Sequence, residues 1–219
     1  MMIRAGLAAA VILAGLSVPA QAVLTVYTDQ ADFIATGATL AEDFEGVSAG
    51  QRDTGLLSLD LGNFRFLPDS ADLVVASAGY MNFAAGVSPT ASHVLTSNGD
   101  ENFSGILQFA APQGSLGMTL LLNDIGTAGI RFYGATGLMA TVLFDVSTPN
   151  ISFVGIRSDA AITSFVFVSQ GGGIVNTGID NLYTAALSAA PEPASWTLLM
   201  TGFAAIGIAT RRRRRGLHA

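Results

Sequence analysis

The sequence predicts an all-β domain: an antiparallel β-sandwich of jelly-roll type, with one short N-terminal helix, set between two hydrophobic ends. Three observations carry that expectation. Strand-length apolar runs follow one another at short spacing through the second half of the chain: "FSGILQFA", "LGMTLLLN", "GIRFYG", "LMATVLFDV", "ISFVGIRS" and "ITSFVFVS". Several of them alternate, as where Ile130 and Phe132 interleave with Arg131 and Tyr133, and Ile151 and Phe153 with Ser152 and Val154. Between the runs stand "NDIGTAG", "GATG", "STPN" and "SQGGG", whose Gly, Asn, Asp, Ser and Pro supply hairpin geometry. No apolar stripe in the body holds a helical period over three turns, so the strands have mainly one another to bury against.

In chain order, residues 24–28 read as a first strand. Asp29 can cap a short helix over residues 30–36, with Ala31, Phe33 and Ile34 available for packing. Residues 40–45, in "LAEDFEG", read as a second strand. Phe64, Arg65 and Phe66, then residues 72–77 and 93–96, continue the series through sequence rich in Gly, Ser and Asn. The stretch 78–91 gives no regular signal, and there is no internal repeat.

Both ends read as addresses. At the start Arg4 precedes an apolar core over residues 5–18, Pro19 breaks the helix, and Ala20-Gln21-Ala22 offers the small-x-small pattern of a signal-peptide cleavage site. Residues 1–22 are therefore expected to be removed by signal peptidase, leaving Val23 first. At the other end residues 194–210 carry no charge, and as a helix they would measure about 25 Å, enough to span a bilayer with interfacial anchors. Trp196 stands at one end of that stretch, and Arg211, Arg212, Arg213, Arg214 and Arg215 stand at the other. Positive charge stays on the cytoplasmic side, so the body lies across the membrane; Arg4 argues the same orientation.

Charge and composition narrow the function classes. Over residues 23–190 four arginines face fifteen acids, a net of −11, and the chain has no lysine. Such a body does not attract phosphate backbones, which argues against nucleic acid as a partner. With no cysteine and only His93 and His218, thiolate catalysis, zinc–thiolate and histidine-rich metal sites are excluded.

The C-terminal pattern of Pro191-Glu192-Pro193, a short apolar helix with Trp196 and Gly202, and an arginine cluster resembles the PEP-CTERM sorting signal of Gram-negative bacteria. The resemblance spans residues 188–219 and leaves residues 23–187 as the β domain. It implies recognition by an exosortase acting at Pro191, Glu192 and Pro193, and a transient inner-membrane span. Delivery to the cell surface or extracellular matrix would follow, often beside exopolysaccharide in a biofilm. The two prolines suit that role, because they keep the segment extended and open to a protease.

Within the body, Asp43-Phe44-Glu45-Gly46 and Ile179-Asp180-Asn181-Leu182 each place carboxylates beside strand-forming apolar residues. Pairing of first and last strands, common in jelly rolls, would bring Glu45 and Asp180 together, and converging carboxylates call for a cation. With Asn181 and backbone carbonyls, the set resembles the oxygen-only structural calcium site of carbohydrate-binding jelly rolls, which begin with a Phe-Glu strand and end with Ile-Asp-Asn. The alternative has Asp180 and Asn181 capping a turn and Glu45 in solvent. Asn98-Gly99-Asp100-Glu101-Asn102 is a second polar loop, an ordinary turn or a calcium loop without the EF-hand pattern.

For catalysis the sequence offers little. Gly-x-Ser-x-Gly is absent, His93 lacks a marked nucleophile, and no glycine-rich run carries a phosphate-loop lysine. The expectation is a non-catalytic binding or structural protein. The alternative is a secreted glycan-active hydrolase, because paired acids leave no spacing rule in sequence. Tyr80, Phe83, Tyr133 and Tyr183 are the aromatics available for stacking on sugars.

Overall fold

The computed structural model describes residues 23–47, 55–69, 72–77, 86–87, 91–97, 102–123, 126–170, 177–188, 201–203 and 206. The expected signal peptide with Ala20 and Ala22, the residues Pro191, Glu192, Pro193, Trp196 and Arg211 to Arg215, and residues 98–101 lie outside the described residues. Of the 194–210 stretch, only residues 201–203 and 206 are described, as helix. Among the described residues no helix is long and apolar enough to cross a membrane.

Twelve strands and one short helix are described within residues 23–188. They are β1 (Leu24–Tyr27), α1 (Gln30–Ile34), β2 (Thr39–Glu42), β3 (Leu59–Asp60), β4 (Phe64–Pro68), β5 (Leu73–Ala76), β6 (Val94–Ser97), β7 (Phe103–Leu107), β8 (Gln113–Leu122), β9 (Gly126–Gly134), β10 (Gly137–Val146), β11 (Asn150–Gln170) and β12 (Gly178–Ala186). Every pairing is antiparallel, and the strands form one continuous, nearly closed, barrel-like sheet. The spine is ordered β3-β4-β7-β11-β8-β12-β6-β5, with β1, β2, β9 and β10 attached along it.

Strand β11 turns this ladder around the core. Its first half pairs with β8 and β1, its second half with β9 and β7. The sequence predicts two strands here, and the structure joins them into one. The reason lies in a register shift between Ile162 and Ser164 against β9, where one extra residue enters β11. A bulge of that kind moves the buried set from one parity to the other. Val154, Ile156 and Ile162 are core residues before it, Phe165 and Phe167 after it. Broken alternation reads as a gap between strands when only the sequence is in view.

The core draws on both halves of the ladder. Phe64, Phe66, Phe103, Phe132, Phe165 and Phe167 sit in the same buried cluster as Leu116, Met118, Leu120, Ile179 and Leu182. Phe64 and Phe66 stack at 5.9 Å between ring centroids, and Phe103 and Phe167 at 5.5 Å. Aromatic pairs of this separation add to the area they bury.

A second, smaller cluster lies on the outer face of β11, β8 and β12. Asp29 caps α1 as expected, its carboxylate accepting from the Asp32 amide at 2.9 Å. The helix sets Phe33, fully buried, over two glycines placed directly opposite each other, Gly117 on β8 and Gly155 on β11. A Cβ at either position would lie 2.6 Å from the Phe33 ring. Tyr27 and Phe153 flank that ring at centroid distances of 5.5 and 5.4 Å. The glycines are thus a socket for the helix.

Candidate functional site: an acidic junction between β2, β6 and β12

Two strands share one edge of β12. β6 pairs with Gly178 and Ile179, β2 pairs with Leu182 to Thr184, and Asp180 and Asn181 fall between them. A register shift against β8 marks the same place: Asp180 lies opposite Thr119, and Tyr183 opposite Gly117. The extra residue is absorbed by Asn181 in the left-handed region at φ 49°, which asparagine tolerates better than most residues. This bulge lets both Ile179 and Leu182 reach the core, although they are three apart.

The segment after β2 closes the junction from the other side. The expected strand over residues 40–45 ends at Glu42, because the next residues turn. The Glu42 carboxylate accepts from the Phe44 amide at 2.7 Å, and the Asp43 carboxylate accepts from the Glu45 amide at 3.1 Å. Phe44 takes a left-handed φ of 59°, a strained conformation for a bulky side chain, while its ring is fully buried in the main core.

Glu45 and Asp180 do come to one place, and Ser92 and His93 join them. The Ser92 hydroxyl donates to Asp180 Oδ2 at 2.7 Å; the Asn181 backbone N–H donates to Oδ1 at 2.7 Å, and Asn181 Nδ2 to Oδ2 at 2.8 Å. The His93 backbone N–H donates to Glu45 Oε1 at 2.7 Å. Its Nδ1 lies 3.1 Å from the Phe44 carbonyl and 3.4 Å from Glu45 Oε2. A carbonyl only accepts, so the Phe44 contact places the ring proton on Nδ1.

Asp180 is buried, at 4% exposure. Its carboxyl is pushed up from 3.8 to about 6, first by burial and then by the charges of Glu45 and Asp43; the bonds from Ser92 and Asn181 partly oppose the rise. Glu42 is raised as well, chiefly by burial. The junction is therefore a place where negative charge is costly and donors have been gathered to hold it.

That donor set bears on both chemical expectations. Calcium takes about six to eight oxygen ligands. Here Asp180 already accepts three hydrogen bonds, and Asn181 presents a donor to it. Among the described residues no group of three or more Asp, Glu, His or Cys side chains is placed to hold a metal. As arranged among the described residues, the Asp180 carboxylate is held by N–H and O–H donors. The residue types of a hydrolytic triad also meet here, but their wiring differs. The Ser92 hydroxyl donates to the Asp180 carboxylate and also lies 3.5 Å from the His93 backbone carbonyl, while the His93 Nδ1 faces Phe44 and Glu45; among the described residues the serine–imidazole hydrogen bond of a triad is not formed.

The sequence reading paired Glu45 with Asp180 and missed Ser92 and His93 as their partners. A signal was available: Ser92-His93 stands immediately before the fully buried strand β6, a polar pair at the mouth of an apolar run. No known protein family matches the chain, and no curated protein is significantly similar to it.

Proposed function

We propose that this protein is exported and sorted through a PEP-CTERM signal to the cell surface or matrix of a Gram-negative bacterium. There it serves as a non-catalytic binding or structural component associated with exopolysaccharide or biofilm. The observation that carries this reading is the order of unlike elements in residues 191–215, the tripeptide, the uncharged stretch and the arginine cluster, behind an acidic β-rich body. Signal peptidase and an exosortase are its processing partners.

Two features of the body support it. The Val23 nitrogen lies 2.9 Å from Asp159 Oδ1. Cleavage after Ala22 would turn that nitrogen into an ammonium and this contact into an ion pair that fastens β1 to β11. The polar junction, in turn, is internally bonded in the manner of a structural staple. The jelly-roll-like sandwich is the form of the sheet we favour, because the two halves of β11 pair with different neighbours and face one core.

Substituting alanine for Pro191, Glu192 and Pro193 tests the sorting step. The substituted protein is expected to stay unprocessed in the inner membrane. Unchanged processing and surface delivery in the native host would reduce the tail to a plain anchor.

A further inference from the structure

We propose that the cleft above Arg157 binds the carboxylate of a uronic acid unit in an acidic polysaccharide. This rests on the surface-and-matrix reading above and gives it a ligand class and a site. The cleft lies on the outer face, one repeat beyond the glycine row. Cross-strand neighbours share a face, so Ala185 on β12, Ser115 on β8, Arg157 on β11 and Thr25 on β1 form one row. The row before it, with Gly117 and Gly155, is filled by Phe33; this one is open. The turn after α1 at Thr36 and Gly37 borders it, and its volume is about 480 Å³. That falls inside the range of about 300–1,000 Å³ typical of small-ligand sites.

The chemistry of the lining selects the ligand. Hydroxyls and an amide predominate, from Thr36, Thr39, Ser115, Gln113 and Ser188, a set suited to sugar hydroxyls. Among the described residues no carboxylate lines the cleft. Arg157 is exposed, and among the described residues its side chain has no hydrogen-bond or ion-pair partner. The acid two residues away, Asp159, has an oxygen already engaged by the Val23 nitrogen. Arg131 differs, since Asp69 lines its cleft and would repel an anion.

One planar guanidinium without a second cation matches a planar monoanion and holds it through two parallel hydrogen bonds. A phosphate monoester, close to a dianion, would want more positive charge than this face supplies, and a sulfate ester, though also a monoanion, is tetrahedral and lacks the planar pair of oxygens that matches the guanidinium fork. The overall negative charge of the body does not forbid the contact, because at physiological salt charges beyond about 8 Å are largely screened. Single-unit affinity in so open a cleft is weak, and a polymer with many such units, met by many copies on one surface, gains by multivalency.

The test is titration calorimetry on the full chain in detergent, with an oligogalacturonate and its methyl-esterified form as probes. The acidic oligomer is expected to bind and the ester to bind at least tenfold more weakly. Arg157→Gln should lower affinity for the acid about tenfold or more, and Arg157→Lys by less, with melting temperature unchanged in both. Equal binding of acid and ester, an unaffected Arg157→Gln, displacement by inorganic phosphate at equal concentration, or absence of binding would each overturn the assignment. Because sorting is read at residues 191–193, failure here with processing intact removes the cleft and leaves the surface reading standing.

Discussion

Replacing Phe33 by alanine is expected to destabilise the domain by about 3–5 kcal/mol, the cost of emptying a fully buried aromatic site. The socket makes a sharper test possible. Gly155→Ala alone forces a methyl to within 2.6 Å of the Phe33 ring and should cost about 1–3 kcal/mol through overpacking. In the Phe33→Ala background the same methyl has room, so its cost should fall close to zero. Urea unfolding of the two single variants and the double variant measures the coupling. Strictly additive costs would mean that α1 is not seated in the glycine row.

Removing Asp180 as alanine should cost about 2–4 kcal/mol, because the Ser92 hydroxyl and the Asn181 donors lose their acceptor in a buried site. The pH dependence has a definite sign. The folded carboxyl titrates at about 6 and the ordinary value is 3.8, so between these values the folded state binds the extra proton. Its contribution to stability is complete below about pH 3.8 and is lost as pH rises through about 6. Glu42, also raised, acts in the same direction. Stability should therefore increase by roughly 1–2 kcal/mol as pH falls from 7 to 4, after discounting for solvent screening. Asp180→Asn should flatten that slope. With Asp180 already accepting three hydrogen bonds, calcium or a chelator should leave the melting temperature unchanged. A rise of several degrees with calcium, abolished in Asp180→Asn, would restore the metal.

Much of the fold was legible in the residues. The Asp29 cap, the alternating runs of the second half and the turn at "GATG" express local rules that tertiary context did not override. The approach of Glu45 to Asp180 was legible as well, through the expected pairing of early and late strands. What escaped notice was bulged. At Thr163 and Asn181 an extra residue shifts the buried parity, so β11 read as two strands and β12 was not delimited at all. The turn at Phe44 escaped for a different reason: its left-handed phenylalanine runs against local preference and is held by ring burial and by carboxylates accepting from the backbone. The Arg157 cleft could not be seen because it joins β8, β11 and β12 with the α1–β2 turn, segments distant in the chain.

Terminal sequencing by mass spectrometry, on protein recovered from the native host's surface, addresses export and sorting together. The account requires a first residue of Val23 and a last residue at or beside Pro191 to Pro193. A polypeptide still carrying Met1 and Ala219, recovered from the cytosol, would contradict it.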